Sequence, residues 1–172
     1  MSLYKATVPQ TTKMLENLGR WLDEAVALAE AKKFDPEVLL ATRLAPDQYN
    51  LTQQIQAVCD AAKSMAARLA GKDVPSHPDT ETTLPELRAR IQMTLDFLGT
   101  LTEADFAGAS DRMVPLPFLP IPDRALSAGD YLNELSLPNF YFHLVTAYAI
   151  LRHCGVGLGK RTFIGSMNLQ EL

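Results

Sequence analysis

Cysteine, aromatic residues and excess charge of either sign are all scarce in this chain of 172 residues. It has two cysteines, 8% aromatic residues and a formal net charge of −4 from 16 basic and 20 acidic side chains. Cys59 and Cys154 both fall inside helical patterns, so they are expected to be small buried residues in a reducing compartment and not a disulfide framework. The mildly acidic charge excludes a protein whose affinity comes from nucleic-acid phosphates.

Long hydrophobic runs are also missing. The longest apolar stretch, residues 140–151, is interrupted by His143 and Thr146 and is too short to cross a bilayer. The first residues lack the apolar segment of a signal peptide. We therefore expect a cytoplasmic protein with no membrane or nucleic-acid partner, folded as one domain over residues 1–172.

The apolar residues that are present recur at spacings of three and four, which predicts amphipathic helices. With their caps, the four long helices are predicted over residues 11–33, 50–71, 83–99 and 127–154. Pro138 lies inside the last of these, where it removes one backbone hydrogen bond and crowds the carbonyl of Glu134, so a kink is expected. The tail from Val156 onward is glycine-punctuated and is expected to be irregular.

The segment 108–124 breaks the helical pattern with four prolines among apolar residues. Alternating prolines forbid a helix and allow at most a short edge hairpin. Its side chains Phe118, Leu119 and Ile121 are too apolar to stay exposed, so the segment is expected to cover one end of the core. The predicted fold is an all-α four-helix bundle with a short proline-rich loop or hairpin before the last helix.

One pair of polar residues is spaced so that both side chains can act at the same site. Asn139 and His143 are four residues apart on the same face of the last helix, between the core residues Leu132 and Ile150. Two ligands at this spacing can share a metal ion, although an amide is a weak ligand for zinc or nickel. The alternative is a core histidine satisfied by hydrogen bonds. Gln54, at the edge of the apolar stripe of the second helix, is placed to meet His143.

Two other polar residues are expected to lie in solvent. Asp60 lies opposite the apolar stripe of the second helix, and His77 belongs to the polar connection before the third helix. The far side of the last helix carries apolar and aromatic side chains as well. A homodimer interface or a covering loop would account for them. These side chains are Tyr141, Leu144, Val145 and Tyr148.

Several segments resemble a bacterial family of domains of unknown function. The most specific is 137–143, LPNFYFH, followed by 146–153, TAYAILRH, and then Gly155. The others are Ala45-Pro46-Asp47, Gln54-Ile55-Gln56 with Cys59-Asp60, Glu81-Thr82-Thr83, and Gly159-Lys160 with Phe163-Ile164-Gly165. This family looks like a branch of the DinB/YfiT-like metalloenzymes, and the resemblance covers nearly the whole chain.

The resemblance implies a four-helix bundle, often dimeric, with a divalent metal held by one histidine of the second helix and two of the last. Relatives of this type include thiol-dependent S-transferases and a mycothiol-dependent maleylpyruvate isomerase. By this register the three ligand positions hold Gln54, Asn139 and His143, so two of the three histidines are replaced by amides. The implied metal site is therefore degenerate, with zinc or nickel as the candidate ion.

Three functions follow as hypotheses. The first is a bundle that binds a small ligand in a degenerate metal pocket formed by Gln54, Asn139 and His143. The second is a metal-dependent enzyme of thiol S-transferase or hydrolase type that uses His143. The third is an interaction protein that acts through a homodimer surface. Whether the protein is an enzyme stays open at this point.

Overall fold

A computed structural model of the protein describes residues 2–116 and 123–171. Its long helices are α1 (Leu3–Lys32), α2 (Leu51–Ala70), α3 (Leu84–Gly99) and α5 (Leu137–His153), and they form the predicted four-helix bundle. Helix α2 packs between α3 and α5, while α1 contacts all three. Within the two described ranges, none of the helices combines the length and hydropathy that crossing a membrane requires.

Shorter elements connect the bundle. The 3-10 turns are Pro36–Ala41, Glu103–Phe106 and Ala109–Asp111, and the short α-helices are α4 (Ala128–Asp130) and α6 (Lys160–Ile164). Strands β1 (Met113–Pro115) and β2 (Ala125–Ser127) pair antiparallel, with Val114 opposite Leu126. Of the two forms predicted for the segment before the last helix, a loop or a short hairpin, the structure has the hairpin. Phe118, Leu119 and Ile121 lie outside the described residues.

Local capping accounts for the ends of α2 and α3, as predicted. The Asn50 side chain accepts a hydrogen bond from the amide of Gln53, and Gly71 ends α2 in the left-handed conformation with φ 67°. Helix α3 begins with the capping box of Thr83 and Glu86. Each cap satisfies backbone groups that have no partner inside the helix.

Helix α1 begins about two turns earlier than predicted, at Leu3 and not at Thr11. The hydroxyl of Ser2 accepts a hydrogen bond from the amide of Lys5, which stabilises the earlier start. Pro9 lies inside the helix and removes one backbone hydrogen bond, while burial of the apolar side chain of Val8 next to it favours the helix.

The disruption predicted at Pro138 takes the form of a wide turn. Residues Tyr131–Ser136 form a π-helix, and the regular helix α5 starts at Leu137 with Pro138 in its first turn. The backbone before Pro138 is also helical, so the proline still removes one backbone hydrogen bond. The π-helix thereby absorbs the conflict between Pro138 and the turn before it.

Residues Lys160–Ile164 of the tail form α6, which the sequence did not predict, whereas residues 156–159 and 165–171 are irregular as expected. The Phe163 ring stacks on Trp21 with centroids 5.4 Å apart and meets Tyr148 edge-on at 5.3 Å. The indole nitrogen of Trp21 donates to the carbonyl of Thr162 at 3.1 Å. The tail therefore docks on α1 and α5 through aromatic packing.

The two cysteines differ in environment. Cys59, on α2, is fully buried, and this burial raises the pKa of its thiol to about 12. Cys154, just after α5, is half-buried. Neither is in a disulfide, as predicted.

Iodoacetamide at mildly alkaline pH should therefore modify Cys154 and leave Cys59 untouched until the protein is unfolded in urea, because only thiolates react. Mass spectrometry of the labelled protein with and without urea gives the measurement. Labelling of Cys59 in the native protein at the rate of Cys154 would contradict its burial.

Candidate functional site

The predicted meeting of Gln54 and His143 is present in the structure. Nδ1 of His143 lies 2.8 Å from Oε1 of Gln54, which joins α5 to α2 across the bundle. Gln54 is 1% exposed and His143 is half-buried. The histidine is therefore anchored on one side by a buried amide and reaches the surface on the other.

A second hydrogen bond fixes the tautomer of the ring. The amide nitrogen of Gln54 donates to the backbone carbonyl of Tyr49 at 3.3 Å. A carbonyl can only accept, so the amide nitrogen must face Tyr49 and the amide oxygen must face His143. The oxygen in turn needs a donor, which places the hydrogen of the neutral ring on Nδ1. Nε2 of His143 is then left with its lone pair.

Aromatic side chains flank the same ring. Tyr49 stacks on His143 with ring centroids 6.1 Å apart and planes inclined by 17°. Phe142 meets it edge-on at 5.2 Å. Partial burial lowers the pKa of His143 below its usual value of 6.5, so the neutral imidazole is the form present at neutral pH.

His143 forms part of the wall of an open pocket of about 880 Å³ between α2, the π-helix and the start of α5. Asn139, one turn before His143, lines the same pocket and is exposed to it, and no hydrogen bond joins its amide to another described residue. Ser136 also lines the pocket, and its hydroxyl oxygen is buried without a partner among the described residues. An unpaired buried hydroxyl costs free energy.

The three residues implied as metal ligands do not fit a tightly held divalent ion. Two of the donors are neutral amides, and the oxygen of Gln54 already accepts the hydrogen bond of His143. Zinc and nickel are held most firmly by imidazole, thiolate or carboxylate. Within the described ranges, no three His, Cys, Asp or Glu side chains group closely enough to hold a metal ion.

The opposite end of the pocket is organised by a buried arginine. Arg90, on α3, is 0% exposed and forms ion pairs with Asp60 and Asp79 at 2.8 Å and with Glu81 at 3.0 Å. It also donates to the carbonyl of Pro78 at 3.0 Å. All three carboxylates line the pocket. Arg90 therefore ties α2 and the connection before α3 into one wall.

The expectation that Asp60 is simply exposed needs correction. Its side chain is 42% exposed, but it pairs with Arg90 and with Lys63, the latter at 2.7 Å. The buried arginine of α3 draws the carboxylate onto the interface between the two helices. Burial alone would raise the pKa of Glu81, the third partner, but hydrogen bonds from Gln56 and Arg90 lower it below its usual value.

His77 is also less solvated than expected. It is half-buried, and its Nδ1 is buried without a hydrogen-bond partner among the described residues. Burial, followed by the positive charges of Lys63 and Arg90, lowers the pKa of His77, although Asp60 and Glu81 oppose this effect. The side chain is therefore held as a neutral imidazole at neutral pH.

Several residues of the site were missed in the sequence. Tyr49 lies in the irregular connection before α2, where no helical period predicts its direction. Ser136 is seven residues before His143 and shares its helical face by spacing alone. The burial of Arg90 could have been predicted from the sequence, because Arg90 falls between Leu87 and Ile91 on the apolar stripe of α3. A cation inside such a stripe requires a buried anionic partner.

The predicted homodimer surface of the last helix is partly covered by other residues of the same chain. Leu144 is 0% exposed in the core, Tyr148 packs between Trp21 and Phe163, and the hydroxyl of Tyr141 accepts from Gln10 at 2.6 Å. At these three residues the core, α1 and α6 supply the cover that a homodimer interface or a covering loop was expected to supply. Val145, at 47% exposed, still faces solvent. The homodimer itself stays a prediction, which sedimentation tests directly.

Comparisons with known proteins agree with this fold and this helix pattern. A crystal structure of a DinB family member from Shewanella denitrificans, at 1.83 Å resolution, is 46% identical in sequence with a TM-score of 0.93. The match covers 99% of this chain and 96% of that one. None of the curated proteins is similar enough to match this chain.

The architecture is thus that of a DinB-like helical bundle. The family model described as Domain of unknown function (DUF1993) matches residues 3–164. The chain belongs to this family, which confirms the resemblance noted in the sequence.

Replacing the buried arginine tests how strongly the pocket wall depends on it. Arg90→Ala leaves Glu81, whose side chain is 9% exposed, without its cation, and should lower the free energy of unfolding by about 3 kcal/mol. Arg88→Ala is the matched control, because Arg88 pairs with Asp23 at the surface; it should cost no more than about 1 kcal/mol. Urea unfolding followed by circular dichroism measures both, and equal losses would contradict the central role of Arg90.

The buried position of His77 predicts a pH dependence. Its pKa in the folded protein lies below the usual 6.5, so the unfolded chain binds the proton more strongly. The free energy of unfolding should therefore fall as the pH drops through about 6.5, and His77→Gln should reduce this slope. Urea unfolding of both proteins over this range gives the slopes, and identical slopes would show that His77 titrates as in the unfolded chain.

Proposed function

We propose that this protein binds a small polar molecule in the pocket between α2 and the π-helix–α5 segment. The observation that carries the proposal is the set of unsatisfied polar groups on one wall. Nε2 of His143, the amide of Asn139 and the hydroxyl of Ser136 all belong to residues that line the pocket, and none has a partner among the described residues. His143 and Asn139 thus offer an acceptor and an amide to one ligand, while the hydroxyl oxygen of Ser136 is itself buried.

The size and composition of the pocket support a small molecule. A volume of about 880 Å³ is within the range of small-molecule sites. Leu40, Ala57 and Leu135 supply apolar surface between the polar groups. A ligand can therefore lose apolar surface to the wall while its polar atoms replace water at His143 and Asn139.

The family resemblance also implies a metal-dependent enzyme as the competing function. Neutral amides at positions 54 and 139 argue against this, because they add no negative charge to balance a divalent ion. Metal analysis of the purified protein separates the two proposals. A zinc or nickel ion at one equivalent, lost in His143→Ala, would favour the enzyme and overturn the metal-free pocket.

Filling the pocket tests ligand binding without knowledge of the natural ligand. Acetamide and phenol at millimolar concentration should shift the backbone amide resonances of residues around His143 and Asn139 in the wild-type protein. Ala57→Trp places an indole in the pocket and should abolish these shifts. Ala31→Trp, on the exposed end of α1 away from the pocket, is the matched control and should keep them.

Three outcomes bear on the proposal. Shifts confined to the pocket and lost only in Ala57→Trp support it. Shifts spread over the whole surface, or equal in both tryptophan variants, would show that these molecules do not recognise the pocket. No shifts with either molecule would overturn it.

A further inference from the structure

The orientation of His143 has a chemical consequence that goes beyond binding. A histidine acts as a general base when its unprotonated nitrogen faces the reactant and its other nitrogen donates to a fixed acceptor. Gln54 is that acceptor, and its own orientation is fixed by the carbonyl of Tyr49. The chain from Tyr49 through Gln54 to His143 thus keeps the hydrogen on Nδ1 and leaves Nε2 free.

The direction of Nε2 follows from the position of Gln54. Gln54 is buried in the bundle and does not line the pocket, whereas His143 does. The ring edge opposite the Gln54 contact therefore faces the cavity. Tyr49 on one face of the ring and Phe142 at its edge restrict rotation, so the base is preorganised.

A carbonyl-polarising donor lies next to this base. Asn139 is four residues before His143 on α5, so the two side chains are neighbours on one helix face with Cβ atoms about 6 Å apart. Both line the pocket, and the Asn139 amide is not committed to another described residue. A small carbonyl compound between them could place its oxygen at the Asn139 amide and a water molecule at Nε2.

The charge of the pocket selects among carbonyl compounds. Asp60 and Asp79 line its other end with side chains 42% and 58% exposed, and Glu81 lies beside them. Their partner Arg90 is buried behind them at 0% exposed. Lys63 pairs with Asp60, and Arg68 also lines the pocket, so three cations balance the three carboxylates. An uncharged substrate is therefore favoured.

We propose that the pocket hydrolyses small uncharged esters, with His143 as general base, Asn139 as the donor to the carbonyl oxygen and Gln54 as a positioning residue. This inference rests on the proposed function, because the ester must first bind in the same pocket.

The reaction needs only water and the ester. Nε2 takes a proton from water while the water oxygen bonds to the carbonyl carbon, and the π electrons of the carbonyl move to its oxygen beside the Asn139 amide. The carbonyl then re-forms as the bond to the leaving oxygen breaks. That oxygen takes the proton from Nε2, which returns the ring to its neutral state and releases an acid and an alcohol.

The test uses p-nitrophenyl acetate as an uncharged ester and 4-acetoxy-3-nitrobenzoate, an acetate ester of a nitrophenol that carries a carboxylate, as an anionic control. Wild-type protein should hydrolyse p-nitrophenyl acetate at least about tenfold faster than His143→Asn, as general-base catalysis requires, and should hydrolyse the anionic ester more slowly. His153→Asn removes an exposed histidine at the end of α5 and should keep the wild-type rate. Asn139→Ala, at an exposed position that leaves the fold intact, should lose about tenfold or more in rate.

The positioning role of Gln54 is tested by a measurement other than the rate of ester hydrolysis. Nitrogen-15 spectra of the imidazole should show a single tautomer in the wild type, with hydrogen on Nδ1 of His143. Gln54→Leu should give a mixture of tautomers together with a reduced rate. A single unchanged tautomer in Gln54→Leu would overturn the positioning role.

A non-reactive amide separates failure of catalysis from failure of binding. The same pocket resonances are followed with 4-nitroacetanilide, which has the shape of the ester but a poor leaving group. Equal acetate hydrolysis by wild type, His143→Asn and Asn139→Ala would overturn the catalytic proposal. Binding of the anilide in that case would leave the proposed function standing, and its absence would remove both.

Discussion

The pocket depends on the ion pairs that the buried guanidinium of Arg90 forms with three carboxylates. The Arg90 side chain is 0% exposed, and the carboxylates that it holds belong to α2 and to the connection before α3. A charge taken out of water in this way is stable only when its partners are all in place, so the connection cannot move independently of the helices. The irregular segment that carries Asp79 and Glu81 thereby becomes a fixed wall, although it has no secondary structure of its own.

The two ends of the pocket are built on different principles. At one end, charges neutralise one another and fix the backbone. At the other end the groups are uncharged. Gln54 fixes the ring of His143 through Nδ1, and Nε2 has no hydrogen-bond partner within residues 2–116 and 123–171. The first end supplies rigidity, and the second supplies the groups that a ligand can address.

Most of the fold could be predicted from local sequence patterns. The caps at Asn50 and Thr83 and the stop at Gly71 depend on neighbouring residues only, so the bounds of α2 and α3 could be predicted from short stretches of sequence. The start of α1 could not, since Pro9 masked a helix that its buried neighbours stabilise. The docking of α6 depends on Trp21 and Tyr148, which are distant in sequence from Phe163.

Some residues of the candidate site could likewise be predicted from local sequence patterns, and others could not. Helical spacing placed Asn139 and His143 on one face, and the meeting of Gln54 with His143 followed from the register of α2. The partners of Asp60 required knowledge of how α3 packs on α2, which no local pattern contains. Tyr49 lies in an irregular connection, so its side-chain direction follows only from the three-dimensional structure, whereas Ser136 shares the face of Asn139 and His143 by helical spacing.

The π-helix from Tyr131 to Ser136 makes this part of the chain sensitive to length. A π turn holds one residue more than an α turn, and one residue corresponds to a rotation of about 100° around a helix. Tyr131 before the wide turn and His143 after it face the same pocket only because that extra residue is present. Loss of a single residue between them would turn one end of the helix away from the pocket while leaving every remaining side chain unaltered. In this segment the spacing of the residues therefore carries information that their identity does not.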